Sequence, residues 1–222
     1  MKLIFSLASL LFSAMLFAQN DRQNDFNNIS WVQTFVTKKI GPKTDFLIEY
    51  QWRRTNGLKN WQQGLFRTAI QLKISEVVTV AAGYAEVETF KYGNYPVANN
   101  GTFPEHRIYE QIIFKQPIKK WVFTHRFRIE QRWLGRVKTG TDREIEEWSF
   151  LHRFRYQFKT QYSITAKFYA AVADEIFIGA GKNVGVNIFD QNRIFYWQGL
   201  SLIKISSLKP VILTKPCSRD EG

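Results

Sequence analysis

The sequence predicts an all-β protein, an antiparallel transmembrane up-and-down β-barrel of about ten strands that lacks a proper closing strand. Three observations support this prediction: apolar and polar residues alternate strictly, no later segment is an apolar run of helical length, and short connections alternate with long ones. In membrane barrels, lipid-facing side chains alternate with lumenal ones along every strand. The same pattern therefore predicts both the fold and the membrane around it.

The N-terminal segment predicts export. Residues 1–18 carry one positive charge, Lys2, followed by an apolar run that ends at Ala18, and polar residues follow directly. This is the pattern of a secretory signal peptide. No later segment has the eighteen or so apolar residues of a membrane helix. We therefore expect residues 19–28 to be an N-terminal extension and residues 29–206 to form a barrel in a bacterial outer membrane.

Composition and charge agree with an exported membrane protein. The 222 residues are 16% aromatic with a formal net charge of +12, and Cys217 has no second cysteine for an internal disulfide. For an exported chain, lumenal arginines and the phosphates of an outer leaflet explain the positive charge better than nucleic acid does. The expected partners are outer-membrane lipid, lipopolysaccharide and the barrel-assembly machinery, and no nucleic acid.

The first four strands are predicted at 29–38, 44–54, 61–74 and 77–89. Gly41-Pro42-Lys43, Asn56-Gly57 and Ser75-Glu76 separate them, because these residue types favour turns. The fifth to ninth strands are predicted at 106–116, 120–134, 145–159, 162–177 and 190–203. The connections from 90–105 onward are long, short (Pro117 to Lys119), long (135–144), short (Thr160-Gln161) and long (178–189). Outer-membrane barrels show this alternation, with the long side outward.

Alternation is strictest in residues 121–134 and returns in residues 148–159. In each case one face is aromatic and the opposite face is basic, so the basic face is predicted to line the lumen. The predicted lumenal charges are Arg107, Arg126, Arg128, Glu130, Arg132, Arg153, Arg155, Lys167, Glu175 and Arg193. In a narrow barrel, side chains fill the interior. These residues are interpreted as a structural Arg/Glu lattice, and a narrow pore or transporter for a small anionic solute is the alternative.

Tryptophans near the strand ends resemble the aromatic girdles of membrane barrels. Trp121 and Trp133 are separated by about the length of strand that crosses a bilayer at a tilt near 40°. The same interpretation is extended to Trp31, Trp52, Trp61, Trp148 and Trp197.

No motif predicts catalysis, a cofactor or a metal site. His125 and His152 share their faces with aromatic residues and not with an outward serine, which a Ser–His hydrolase of the outer wall would need. Glu146, Glu147 and the pair Asp174-Glu175 are interpreted as rim carboxylates, and Gly179-Ala180-Gly181-Lys182 lacks the pattern of a phosphate-binding loop. The chain is therefore predicted not to be an enzyme. An outer-membrane lipid-modifying enzyme with its site in the outer loops is the second alternative.

Several motifs together resemble a known family. They are Trp31, Glu49-Tyr50-Gln51-Trp52-Arg53, Gly83-Tyr84, residues 105–111, residues 125–132, residues 174–177 and residues 189–193. In this order they resemble the DUF2490 family of outer-membrane β-barrel proteins of unknown function, found mainly in Bacteroidetes-type bacteria. The resemblance implies a fold and a location and supplies no catalytic residues.

The two ends of the chain depart from an ordinary barrel. Residues 207–222 are predicted to be an atypical tail, disordered or produced by a frameshift, because residues 198–222 lack aromatics and contain Pro210 and Pro216. At the other end, nine strands with the long loops outside place the first strand's start on the outer side. Either residues 19–28 thread back through or around the barrel, or 29–38 is not a full spanning strand.

Overall fold

The computed structural model describes residues 27–90, 103–138, 140–141, 144–184, 188–200 and 213–217. Its strands are β1 (Asn27–Lys39), β2 (Thr44–Thr55), β3 (Asn60–Lys73), β4 (Val78–Thr89), β5 (Phe103–Ile118), β6 (Trp121–Val137), β7 (Ile145–Ser163), β8 (Phe168–Ala180), β9 (Phe189–Leu200) and β10 (Leu213–Cys217). A single turn of 3-10 helix, Lys182–Val184, lies between β8 and β9. All nine predicted strands are present, in the predicted order.

The strands form one curled antiparallel sheet. Each strand from β1 to β9 pairs with the next, and β10 pairs with β1, which gives the order β10-β1-β2-β3-β4-β5-β6-β7-β8-β9. The sheet curls until the rings of Trp31 on β1 and Phe195 on β9 lie 6.3 Å apart. Among the described residues no ladder joins β9 to β1 or β10, so the barrel is open at this seam. The prediction of an up-and-down barrel without a proper closing strand is confirmed.

Strand β1 has a full-length pairing on one side and a short one on the other. It pairs with β2 from Ile29 to Lys39, so it is not a partial strand. On its other side, β10 pairs only with Asn27 to Trp31. β10 falls within the predicted tail, and the rest of residues 207–222 lies outside the described residues. The predicted signal peptide and residues 19–26 also lie outside them.

The connections alternate between the two ends of the sheet. One end holds the short turns 40–43, 74–77, 119–120 and 164–167. At the opposite end the chain passes from β2 to β3, from β4 to β5, from β6 to β7 and from β8 to β9. Since β1 to β9 each contain at least 12 residues, each exceeds the 9–11 residues with which a tilted strand crosses a bilayer.

One predicted turn was misplaced. Thr160-Gln161 belong to β7, and the chain reverses at residues 164–167 instead. In this turn the Thr165 hydroxyl accepts hydrogen bonds from the backbone N–H groups of Lys167 and Phe168. Lys167 therefore lies in an exposed turn and not in the lumen, which corrects its predicted place. The Ser75 hydroxyl accepts hydrogen bonds in the same way from the backbone N–H groups of Val77 and Val78. A Ser or Thr at the second position of a four-residue turn is therefore the sequence signal that was missed at residues 164–167.

The two faces of the sheet differ in polarity in the opposite sense to a soluble protein. On β6, Arg128 and Glu130 point inward and are 5% and 1% exposed, while Phe127 and Ile129 point outward and are 48% and 41% exposed. On this strand the interior thus contains the charges, and large apolar side chains cover the exterior. This is the arrangement that the alternation in residues 121–134 predicts.

Candidate functional site

The lumen is built around four buried carboxylates. Glu130 on β6 lies directly opposite Arg153 on β7. Its carboxylate accepts hydrogen bonds at 2.6 Å from Arg153 Nη2 and at 2.6 Å from Arg155 Nη1. Arg128 Nη1 lies 3.6 Å from the same group. Burying a carboxylate is costly unless several donors surround it, and here three guanidinium groups do so.

Glu105 near the start of β5 forms the second node. Arg107 Nε and Nη2 each donate to it at 2.6 Å, and Arg132 on β6 donates to the same two oxygens. Glu105 belongs to the motifs that resemble the family but was not among the predicted lumenal charges. Its position two residues before Arg107, on the same face of the strand, is the signal that identifies it.

Glu175 on β8 forms the third node. Arg126 Nη2 and Arg155 Nε both donate to Oε1 at 2.8 Å. Glu175 is 1% exposed, so its interpretation as a rim carboxylate is wrong, because β8 continues to Ala180 and places this residue in mid-strand. Its neighbour Asp174 points to the outer face. Arg155 binds both Glu130 and Glu175 and so connects β6, β7 and β8.

The fourth node, Glu49 on β2, was also missed. It accepts hydrogen bonds from Arg67 on β3, from Gln33 on β1 and from Gln51 on its own strand. A fifth carboxylate, Asp190 on β9, lies 3.2 Å from Arg153 Nη1. The sequence set missed these residues because single acidic residues in mixed strands give no clear alternation.

The remaining predicted charge, Arg193 on β9, lies beside β8. Its Nε donates at 2.7 Å to Gln191 Oε1, and its guanidinium lies 4.7 Å from the centre of the Phe177 ring. The structure therefore places all nine arginines and glutamates of the predicted lattice on the inner face, and Lys167 outside it.

A cavity of about 390 Å³ occupies the lumen, and we call it the chamber. Ten cations line it: Arg53, Arg67, Arg107, Arg126, Arg128, Arg132, Arg153, Arg155, Lys159 and Arg193. Only two lining residues are carboxylates, Glu105 and Glu175. Even with Glu49, Glu130 and Asp190 added, the ten lining cations outnumber these five carboxylates two to one. Arg126 Nε and Arg128 Nη1 are buried and make no hydrogen bond within the described part of the chain, since the contact of Arg128 Nη1 with Glu130 at 3.6 Å is an ion pair only.

The chamber has two chemically different walls. The cationic wall consists of the seven cations that β5, β6 and β7 contribute to the lining. The aromatic wall consists of the six rings from β8, β9 and β1: Trp31, Phe35, Tyr169, Phe177, Phe195 and Trp197. Trp31 and Trp197 thus line the lumen, and their assignment to an outer girdle is wrong. In β9 both faces carry aromatic residues, so alternation did not distinguish them.

The histidines lie on the outer wall. His125 Nδ1 is 2.9 Å from the Tyr156 hydroxyl, and His106 Nδ1 is hydrogen-bonded to the Tyr84 hydroxyl. His152 packs edge-on against Phe150 with ring centres 4.9 Å apart. No group of three or more His, Cys, Asp or Glu residues in the described ranges is arranged to hold a metal ion.

Fold and lumen together define an antiparallel β-barrel with an apolar exterior and an arginine-rich interior. A family model described as a protein of unknown function, DUF2490, matches residues 28–213. The chain therefore belongs to the DUF2490 family. No curated protein sequence matches it. In the described residues, no helix is both long and apolar enough to span a membrane.

Proposed function

We propose that the chain is an integral outer-membrane β-barrel protein whose lumen is a chamber that binds small anions and is closed along the barrel axis by ion pairs. The observation that carries this proposal is the lining of the chamber, which contains ten cations and two carboxylates within a wall whose outer face is apolar. Outer-membrane lipid, lipopolysaccharide and the barrel-assembly machinery are the partners that this placement implies.

The membrane placement is supported by the polarity of the two faces. Large apolar side chains are exposed on every strand from β1 to β9, including Val36, Tyr50, Phe66, Tyr84 and Ile108. In water such a surface would aggregate, whereas in a bilayer it is the outer wall that lipid requires. Cell fractionation tests this placement: the native chain is expected in the outer membrane, with heat-modifiable migration on gels. Recovery in the soluble periplasmic fraction would contradict it.

Anion binding is supported by the charge balance. A buried guanidinium without a carboxylate is costly, and each lumenal carboxylate is already shared between two or more donors. Arg128 illustrates this, because its two short hydrogen bonds go to the neutral Gln111 Oε1, at 3.0 and 2.6 Å, and its contact with the shared Glu130 is longer, at 3.6 Å. An anion that entered the chamber would meet lining residues whose buried donors Arg126 Nε and Arg128 Nη1 make no hydrogen bond within the described residues.

The lattice also supports a closed lumen. Arg155 bridges two carboxylates on different strands, and Arg153 links Glu130 on β6 to Asp190 on β9. These ion pairs cross the interior and narrow it.

A second candidate, a narrow anion pore, is favoured by one feature. The chamber extends from Thr89, at the long-connection end, to Tyr169, near the short turns.

Calorimetric titration of the purified protein with acetate at constant ionic strength tests anion binding. Wild type is expected to bind acetate, and Arg128→Gln is expected to bind it at least tenfold more weakly. Arg136→Gln is the matched control, because it also removes one positive charge but at an exposed site outside the chamber. Equal binding by all three proteins would contradict a lumenal site.

Recordings in planar bilayers separate the two candidates: no conductance steps are expected for a closed chamber, and anion-selective steps would establish the pore.

We also propose that the protein is not an enzyme. The outer-wall histidines are paired with tyrosine hydroxyls or rings, which supports a packing role for them. Phospholipid turnover by the purified protein would contradict this proposal and support the lipid-modifying alternative.

A further inference from the structure

We infer that the ligand of the chamber is an organic anion with an aromatic body, such as an aromatic carboxylate, and not a small inorganic anion. This inference rests on the proposed anion-binding function and specifies the class of ligand. It follows from the separation of the lumen into the cationic wall and the aromatic wall.

The distribution of side chains carries the argument. Seven of the ten lining cations come from β5, β6 and β7, whereas six of the seven lining aromatics come from β8, β9 and β1. A site for a hydrated inorganic ion has no use for a wall of rings, because apolar surface does not replace the water that such an ion loses. Binding sites for drug-sized ligands instead combine apolar and aromatic walls with a few oriented polar groups.

Four rings of the aromatic wall are only partly covered, although the Arg53 guanidinium lies 3.8 Å from the centre of the Trp31 ring. Trp31 and Phe195 meet edge to face with centres 6.3 Å apart. Trp31, Phe35, Tyr169 and Trp197 all keep part of their surface exposed, although their side chains point into the lumen. Rings prefer offset or edge-to-face contact with other rings, so a planar ligand gains more here than a flexible chain of equal volume.

The two walls meet in a way that suits a ligand with an acidic end. The guanidinium groups of Arg155 and Arg193 lie 4.4 and 4.7 Å from the centre of the Phe177 ring, at the boundary between the walls. Among the residues that line the chamber, Arg126 Nε and Arg128 Nη1 on the cationic wall and the indole N–H of Trp31 on the aromatic wall are buried and make no hydrogen bond within the described residues. All three are donors, which a carboxylate or sulfonate can satisfy and an ammonium group cannot. The volume of about 390 Å³ lies within the range of small-molecule sites.

The test compares four probes by calorimetric titration of the purified protein: 2-naphthoate, the neutral 2-naphthalenemethanol, the aliphatic decanoate and acetate. Wild type is expected to bind 2-naphthoate at least tenfold more tightly than any of the other three. Trp197→Leu is expected to weaken naphthoate binding at least fivefold and to leave acetate binding unchanged. Tyr196→Leu is the matched control, since the neighbouring Tyr196 points outward, and it is expected to bind naphthoate like wild type.

The outcomes test this inference separately from the proposed anion-binding function on which it rests. If acetate binds and Arg128→Gln weakens it, but naphthoate binds no more tightly than acetate or decanoate, the aromatic class is overturned and the anion chamber remains. If neither acetate nor naphthoate binds, the proposed function itself fails. Equal losses in Trp197→Leu and Tyr196→Leu would place the naphthoate at the outer wall or in the detergent and would overturn the inference. Heat-modifiable migration of each variant verifies that it is folded.

Discussion

The two faces of β6 differ in what their side chains contact and in what they specify. On the inner face, Glu130 bonds arginines of β7 at fixed positions, whereas on the outer face Phe127 packs on Tyr156 with ring centres 4.8 Å apart. A slip of one residue would turn every charge toward the outer face. Rings tolerate small displacements, but bidentate ion pairs do not. The lumen therefore fixes the register of the sheet, and the outer wall determines the solvent in which it is stable.

The largest effect that would test this comparison is expected from Glu130→Ala. Removing this carboxylate leaves Arg153 and Arg155 without their shared partner in a buried site, and breaking such a pair costs about 3 to 5 kcal/mol. Denaturant unfolding in detergent micelles measures the loss. Glu110→Ala is the control, because Glu110 is exposed on the outer face and accepts a hydrogen bond from the neutral Gln131 at 3.1 Å. Equal destabilisation by both substitutions would contradict the role assigned to the lumenal lattice.

The next largest effect is expected from Phe127→Arg. A charge on the lipid-facing side near the bilayer centre costs about 2 to 4 kcal/mol, so this variant should assemble poorly into outer membranes. Arg128→Gln, one residue away on the inner face, should assemble nearly normally because it leaves no unpaired charge. Fractionation of cells that express each variant measures assembly. Normal assembly of Phe127→Arg with failure of Arg128→Gln would show that the two faces are reversed.

The contrast between the faces also explains how much the sequence predicted. Alternation placed Arg126, Arg128, Glu130 and Arg132 on one face because one uncharged residue, Phe127, Ile129 or Gln131, separates each charge from the next. Neither Glu49 nor Glu105 belongs to so regular a run. Only the register of the strands in the structure shows that Glu49 pairs with Arg67 and Glu105 with Arg132. Local periodicity assigns a face within one strand, but it does not determine which residues of neighbouring strands lie opposite each other.

β9 shows a second limit of sequence analysis. Its inner face carries Arg193, Phe195 and Trp197, while its outer face carries Ile194 and Tyr196, so hydropathy hardly distinguishes the two. A register shift between Phe177 and Ile178 of β8, where β9 pairs, complicates the alternation further. The aromatic wall therefore could not be predicted, although the sequence predicted much of the cationic wall.

A smaller effect on stability is expected when glycines on opposite faces of the neighbouring strands β3 and β4 are replaced by alanine. A Cβ built on Gly83 would lie 2.8 Å from both Ala69 Cβ and the Tyr109 hydroxyl and would collide with the backbone oxygen of Thr68. Gly83→Ala should therefore lose about 1 to 3 kcal/mol by overpacking. Gly64 meets nothing within 4 Å, so Gly64→Ala should be neutral or slightly stabilising. The same unfolding measurement compares them, and a larger loss for Gly64→Ala would contradict the close packing of the inner face.

The smallest effect is expected at the exposed turn between β3 and β4, where Lys73 Nζ lies 2.8 Å from Glu76 Oε2. The hydrogen bond and charge of Lys73 lower the pKa of Glu76 below its ordinary value. Because the folded pKa is depressed, any stabilisation is present above the unfolded pKa and is lost as the pH falls through the folded pKa. Solvent screens this pair almost completely, so Glu76→Gln should leave the melting temperature unchanged at neutral pH. Glu105→Gln, which removes the charge from a carboxylate buried between Arg107 and Arg132, should lower it clearly under the same conditions. A marked loss in Glu76→Gln would show that the short-turn end contributes to stability as the lumen does, and the contrast between buried and exposed ion pairs would then fail.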